Sequence, residues 1–377
     1  MPEESIWPLE QHTKAKHELL RRYLAAWFAI LGVQWNPKVV FLDGFAGPGV
    51  YANGEPGSPL VALSTLVNHS YFGRWDSTEF VFLFIEKDAE RYSSLEREVE
   101  RFWSAQPAGQ PRNVRVRLFN DELAAVAEDI VAEARERNWR LAPTLAFIDP
   151  FGWSGVPLRL ISELLSFEKC EVLFNFTFDS VNRFVGDERP GVTRSFAELF
   201  GTDESDEPEH HEAAALAGTE RKYFLRDLYM HGLREIAGFT FVRSFELRDV
   251  ERGRTAYFLM FGTRHPKGLQ MIKEAMWALD PERGVRFSGF AGDQQMLFEP
   301  EPNVRPLRAA ILAEFAGRVV PIEKIDEFVN LDTDFKTTQY RRVLKELEAD
   351  GGVACVSPRQ RRGTYPPGTR LRFLKIT

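Results

Sequence analysis

The chain has almost none of the residues that build covalent or metal staples. Its only cysteines, Cys170 and Cys355, stand far apart in 377 residues, so neither a disulfide framework nor a zinc cluster is expected. Among the histidines, His210, His211 and His265 do not fall at metal-ligand spacing, and no metal is expected. No uncharged apolar run reaches the roughly 18 residues that a membrane-spanning helix needs. The opening MPEESIWPLEQ lacks the basic-then-apolar pattern of a secretory signal, and the scarcity of cysteine makes a reducing cytoplasm the expected compartment. Internal repeats and low-complexity tracts are missing too. What is present is ordinary for a chain with a real core: 44% hydrophobic and 27% charged residues, in a length that suits one large domain with an appendage or two domains.

The net charge of −7 hides an asymmetry. From Asn303 to Thr377 there are 14 Lys and Arg against 9 Asp and Glu, which leaves the rest of the chain at −12. That acidic body includes the run DESDEPEHHE at 203–212. Only the tail favours a polyanion.

Apolar periodicity predicts a helix from Thr13 to Leu31, then strands at 39–43, 80–86, 114–119, 144–149, 171–178 and 255–263. Polar, helix-favouring stretches separate most of them, which means a parallel sheet flanked by helices. TFVRSFELRDV and TAYFLMFGTRH read as a hairpin around 251–254, followed by a helix from Lys267 to Leu279. The expected class is α/β: a Rossmann-like sheet, mostly parallel with a terminal antiparallel hairpin. Residues 179–239 break the alternation and read as an insertion or lid over the carboxyl edge of the sheet. The expected domains are 1–290, a linker at 291–305, and 306–377. In the last, helices at 306–316, 321–330 and 335–349 precede a two-stranded wing, the pattern of a winged helix-turn-helix.

The most informative stretch is VVFLDGFAGPGVY, Val39 to Tyr51. A strand ends in Asp43, and Gly44, Gly47 and Gly49 follow as D-G-x-x-G-x-G. Glycine permits the tight bend and lets backbone approach a ligand. The spacing differs from the dinucleotide fingerprint, and no Lys-Ser/Thr follows to make a phosphate loop. It looks like the first motif of S-adenosylmethionine-dependent methyltransferases; the alternative is a plain tight turn.

Other strand tips carry polar residues. Glu86 ends the second strand, where a carboxylate can accept from two ribose hydroxyls. Asn120 and Asp121 end the third, able to accept from an adenine amine or to cap a helix. Asp149-Pro150-Phe151-Gly152 ends the fourth: an acid to hold an amine, and an aromatic to stack on a base. Asn175 and Thr177 at the fifth are weaker candidates. Lys16 shares the helical register of Leu20, Tyr23 and Trp27, so its ammonium points inward unless the first turn frays. Its expected partners are the cofactor's carboxylate, a substrate phosphate or Asp149. In the tail, Lys336, Thr337, Thr338, Tyr340 and Arg341 open the third helix, and Arg359, Arg361 and Arg362 lie on the wing turn; all face nucleic acid if the module binds it.

HTKAKH, DGFAGPGVY, GEPGSP, FIEKD, IDPFG and FGTRHPKGLQMIKEAMW together resemble the three-Cys-motif partner (TcmP) family. The order of these motifs is also similar to that of large-subunit ribosomal RNA adenine-N6 methyltransferases. The resemblance implies S-adenosyl-L-methionine as cofactor, with contacts from Lys16, His17, Asp43, Gly44, Gly47, Gly49 and Glu86, and Asp149 as the residue that holds the amine; Phe45 in the bend and Asp121 at the third strand tip are further candidates for cofactor binding. It also implies a radical-SAM-like three-cysteine partner. The chain departs from the Asp-Pro-Pro-Tyr pattern at Phe151 and adds the winged helix. The expected function is methylation of a base amine in RNA or DNA; the alternatives are a non-catalytic nucleic-acid-binding subunit and a metal-dependent nuclease.

Overall fold

The structure is a computed structural model that describes residues 10–33, 37–153, 155–187, 189–202, 208–249, 252–288, 301–358 and 361–374. It divides into two compact units, Met1–His265 with Phe287–Phe290, and Pro266–Arg286 with Ala291–Thr377.

In the first unit, α1 (Gln11–Val33) leads into β1 (Lys38–Asp43), α2 (Ser58–Val67), β2 (Glu79–Ile85), α3 (Ala89–Ser104) and β3 (Val114–Phe119). Next come α4 (Leu123–Glu136), β4 (Thr144–Ile148), α5 (Leu158–Leu164), β5 (Cys170–Phe176), α6 (Phe178–Phe184), α7 (Pro190–Phe200), α8 (Pro208–Ala215) and α9 (Gly218–Glu235). The hairpin is β6 (Phe241–Asp249) and β7 (Arg254–Thr263). Helix α10 (Pro266–Leu279) separates the hairpin from the short β8 (Arg286–Phe287), and the sheet order reads β3-β2-β1-β4-β5-β7-β6-β8. The first five strands are parallel; β7 runs antiparallel to both β5 and β6. Runs such as TLAFI and CEVLFNF are buried along their whole length, as strands covered on both faces must be. The order reverses between β1 and β4, and their carboxyl tips flank the crevice where such sheets bind ligands.

One face of the sheet is covered by α1, whose Tyr23 meets Phe261 edge-on at 4.8 Å and whose Phe28 meets Phe80 at 5.7 Å. Each such side chain, fully buried, contributes about 1.5–3 kcal/mol. The other face corrects the expectation of a lid at 179–239. Leu225, Tyr229 and Leu233 of α9 form an apolar stripe in the core, and Tyr229 stacks on Phe174 of β5 at 4.7 Å. Burying that stripe places α9 on the sheet as a covering layer, not over its edge. Helices α8 and α9 are separated at Leu216 and Ala217, ahead of Gly218 at φ +55°.

The second unit holds α11 (Arg305–Phe315), β9 (Val319–Pro321), α12 (Ile322–Asp332), α13 (Tyr340–Ala349), β10 (Val353–Cys355) and β11 (Arg370–Phe373). The wing has three strands, β10-β11-β9, not two. Helix α10 belongs to this unit: the Lys273 ammonium donates to the carbonyls of Val329, Asn330 and Thr333 at 2.9–3.0 Å, and the Trp277 indole to that of Asp334 at 2.8 Å. No helix among the described residues is long and apolar enough to cross a membrane.

Candidate functional site

Asp43 sits at the tip of the central strand, in register with Phe84 of β2 and Phe147 of β4, and is fully buried. Burial pushes its carboxyl up to about 7; the Ser58 hydroxyl, the Phe45 amide and Lys16 pull the other way, while Asp149 adds to the rise. Its Oδ1 accepts from the Phe45 amide at 3.2 Å, and its buried Oδ2 has no hydrogen-bond partner among the described residues.

The bend after Asp43 is fixed by backbone bonds. The Gly44 amide donates to Phe147 O, Ala46 to Ile85 O, and Gly57 to Gly49 O, all at 2.8–2.9 Å. A Cβ on Gly44 would meet the Leu123 side chain at 2.9 Å. Gly47, at φ +63°, has open space where a side chain would stand. Above this bend lies a cleft lined by residues 45–51, Gly57, Ser58, Asp149 and Phe151.

Glu86 is buried just beyond β2. One of its oxygens accepts from the Gly47 amide at 3.0 Å and the other from the Asp88 amide at 2.9 Å. It therefore anchors the glycine bend, and any hydroxyl it takes must use the second lone pairs of those oxygens. Asp121 is exposed in a separate shallow depression with Lys87, Asp88, Asn120 and Glu122, and it does not line the glycine cleft.

Lys16 is buried, and its ammonium meets Asp149 Oδ2 at 2.5 Å. Of the partners expected for it, the structure supplies Asp149. The other Asp149 oxygen accepts from Asn175 Nδ2 at 2.6 Å. His17 is buried beside the Tyr51 ring, with its imidazole held down to about 3 chiefly by burial and then by Lys16. Pro150 is buried, while Phe151 is 62% exposed with the Arg91 guanidinium 5.1 Å from its ring centre. Tyr257 of β7 closes the cluster, 5.7 Å from Lys16 and 5.0 Å from the His12 ring. The sequence reading missed Arg91, Tyr51, Ser58 and Tyr257. Ser58 and Tyr51 carried a signal, in GEPGSP and DGFAGPGVY; Arg91 and Tyr257 come together with them only in the fold.

In the second unit one expectation is overturned. Tyr340 is 1% exposed and lies in the core with Val343, Leu344 and Leu347, so it cannot face a groove. Its spacing from those residues, 3, 4 and 7, is that of one helix face. Thr338, Arg341 and Arg361 are exposed, and Thr337 is half-buried. Arg341 donates to Tyr365 O at 3.1 Å, and Arg362 to Glu348 O at 3.2 Å. Lys336 is half-buried, 5.9 Å from the Trp277 ring. Arg359 lies outside the described residues.

Strand order, hairpin and C-terminal helices define the class: a Rossmann-like methyltransferase-type sheet joined to a winged helix-turn-helix. Residues 287–359 match the family described as the GMT-like wHTH domain. A search of curated proteins finds no match. Among solved structures, the chain is similar to Trm1 from Pyrococcus horikoshii in complex with S-adenosyl-L-methionine, at 12% identity and a TM-score of 0.36. That likeness covers 73% of this chain and 60% of the other, so the chain spans less than two thirds of that protein.

Proposed function

We propose that the chain is an S-adenosyl-L-methionine-dependent methyltransferase acting on an amine of a nucleic-acid base. The observation that carries this reading is the convergence of a side-chain-poor bend at the β1 tip and a carboxylate at the β4 tip on one cleft. The residues fit the cofactor: open space at Gly47 admits a ligand against bare backbone, and the orphaned Asp43 Oδ2 asks for a donor. Lys16, His17, Phe45, Gly44, Gly49 and Glu86 shape the same edge.

When bound, the cofactor supplies a methyl group already activated on a sulfonium, and no metal is needed. The chain's own residues align and desolvate. Asp149 accepts an N–H from the acceptor amine, leaving the nitrogen lone pair free to attack. Phe151 offers an exposed face for the base. The winged helix, with Thr338, Arg341 and Arg361 at its surface, presents the polymer.

A calorimetric titration with S-adenosylhomocysteine tests the pocket, and radiolabelled methyl transfer to RNA and DNA tests the reaction. Absence of heat in the wild-type chain contradicts the reading. Asp149→Ala is expected to lower transfer at least 100-fold. A second reading, a non-catalytic nucleic-acid-binding subunit of a three-cysteine, radical-SAM-like protein, is favoured by one observation: both Asp149 oxygens already have donors, Lys16 and Asn175. Co-precipitation with such a partner, without methyl transfer, selects it. A nuclease needs converging metal ligands, and among the described residues no group of three His, Cys, Asp or Glu has that arrangement.

A further inference from the structure

We infer that Asn175 is a recognition point for an amino group at this site; the inference rests on the methyltransferase reading above. Asn175 lies near the end of β5 and is 2% exposed. The orientation of its amide follows from chemistry. The Asp149 carboxylate beside it only accepts, so the Asn175 nitrogen must face Asp149 Oδ1, as it does at 2.6 Å. The carbonyl oxygen, Oδ1, is therefore turned away from Asp149. It is buried and has no hydrogen-bond partner among the described residues.

A buried carbonyl oxygen without a donor is uncommon and calls for an explanation. Two donors of this cluster are already engaged. The Lys16 ammonium is on Asp149 Oδ2, and the Thr177 hydroxyl donates to Gly152 O at 2.6 Å. Asp43 Oδ2 is a second buried oxygen without a partner, and its carboxyl feels the charge of Asp149. Two buried oxygens without partners beside one clamped carboxylate match a ligand group that brings N–H donors. An amino group is that group. It has two sources at a methyltransferase site: the α-ammonium of the adenosyl amino acid, or the amine that receives the methyl group.

Three adenosyl ligands separate these sources by titration calorimetry. S-adenosylhomocysteine carries the α-ammonium, its deaminated analogue lacks it, and sinefungin adds an amine where the methyl group would sit. Loss of one hydrogen bond to a buried acceptor is expected to change affinity about tenfold. If Asn175 takes the α-ammonium, wild-type protein prefers S-adenosylhomocysteine to the deaminated form by about that factor, and Asn175→Leu erases the preference. If it takes the acceptor amine, Asn175→Leu instead erases a preference for sinefungin over S-adenosylhomocysteine. Equal weakening of all three ligands, or no change in either ratio, overturns the assignment and leaves Asn175 as a prop for Asp149. Should Asn175→Leu fail to fold, the smaller Asn175→Ala removes the same oxygen: a lost ratio supports the assignment and a retained ratio overturns it. If the wild type shows neither preference, the assignment falls without any variant. Failure of the wild type to bind all three ligands is a different result, since it removes the methyltransferase reading itself.

Discussion

Among the described residues each unit buries one lysine, and the two are satisfied in opposite ways. Lys16, 5% exposed, meets the carboxylate of Asp149. Lys273, 2% exposed, meets three backbone carbonyls at the end of α12, where the helix leaves its last acceptors unpaired. The lesson is that a buried ammonium does not by itself mark a site. A lysine on carbonyls is a helix cap, and its position can be read as architecture. A lysine on a carboxylate that also walls a cleft leaves a charge pair which a ligand can reopen.

The largest expected effect breaks the first of these pairs. Lys16→Met strands Asp149, and losing one partner of a buried ion pair costs several kcal/mol. Because the Asp149 side chain is still 20% exposed, water offsets part of that, and a loss of about 3 kcal/mol in urea unfolding is expected. Adding Asp149→Asn to Lys16→Met should recover a good part of it. Lys273→Met is expected to cost about 2 kcal/mol, from unmade bonds to carbonyls and not from a stranded charge. No second substitution should rescue it, since its partners are main chain. Rescue in the second case but not the first would invert the comparison.

The next effect concerns protons. Asp43 is held up to about 7, so between roughly pH 4 and pH 7 the folded chain binds a proton that the unfolded chain has released. Its contribution therefore turns against stability as pH rises through that window. His17, held down to about 3, has the opposite sign: the unfolded chain binds the extra proton between about pH 3 and 6.5, and stability rises with pH there. Asp43→Asn should raise stability at pH 8 by roughly 1–2 kcal/mol and remove Asp43's share of the falling slope, leaving that of Glu171, whose carboxyl burial also raises, against the rising one of His17. Melting curves from pH 4 to pH 8 check both. The same substitution should weaken S-adenosylhomocysteine binding if the site trades stability for function.

Much of this was legible in the chain. Five parallel strands and a hairpin are visible as buried β-branched and aromatic runs, because strands covered on both faces leave no polar alternation to confuse with a helix. Asp43, Lys16 and Asp149 were legible because each is a polar residue at a place where the pattern demands an apolar one or a strand end. The role of 179–239 was not. Whether an apolar helix covers a sheet face or its edge depends on where Tyr229 finds Phe174, a contact 55 positions apart in the chain. Tyr340 was misread for the reverse reason: its position at the start of a helix drew attention away from its spacing to Val343, Leu344 and Leu347. The attachment of α10 to the second unit rests on side-chain donors reaching carbonyls more than 50 residues away, which no local pattern reports.

The smallest expected effect on stability separates the wing arginines. The Arg361 side chain is exposed and has no ion pair or hydrogen bond among the described residues, whereas Arg362 donates to Glu348 O. Arg361→Ala should change unfolding free energy by less than about 0.5 kcal/mol, as surface substitutions without partners do. If the wing touches a phosphate, that substitution still weakens binding to duplex nucleic acid by a few fold at all sequences, and it lowers the slope of log affinity against log salt by about 1. Arg362→Ala should show the reverse balance: a measurable loss of stability, with little change in salt slope while its guanidinium stays on α13. Equal salt slopes for wild type and Arg361→Ala would remove the wing from the nucleic-acid surface. The contacts would then fall to Thr338 and Arg341 at the start of α13.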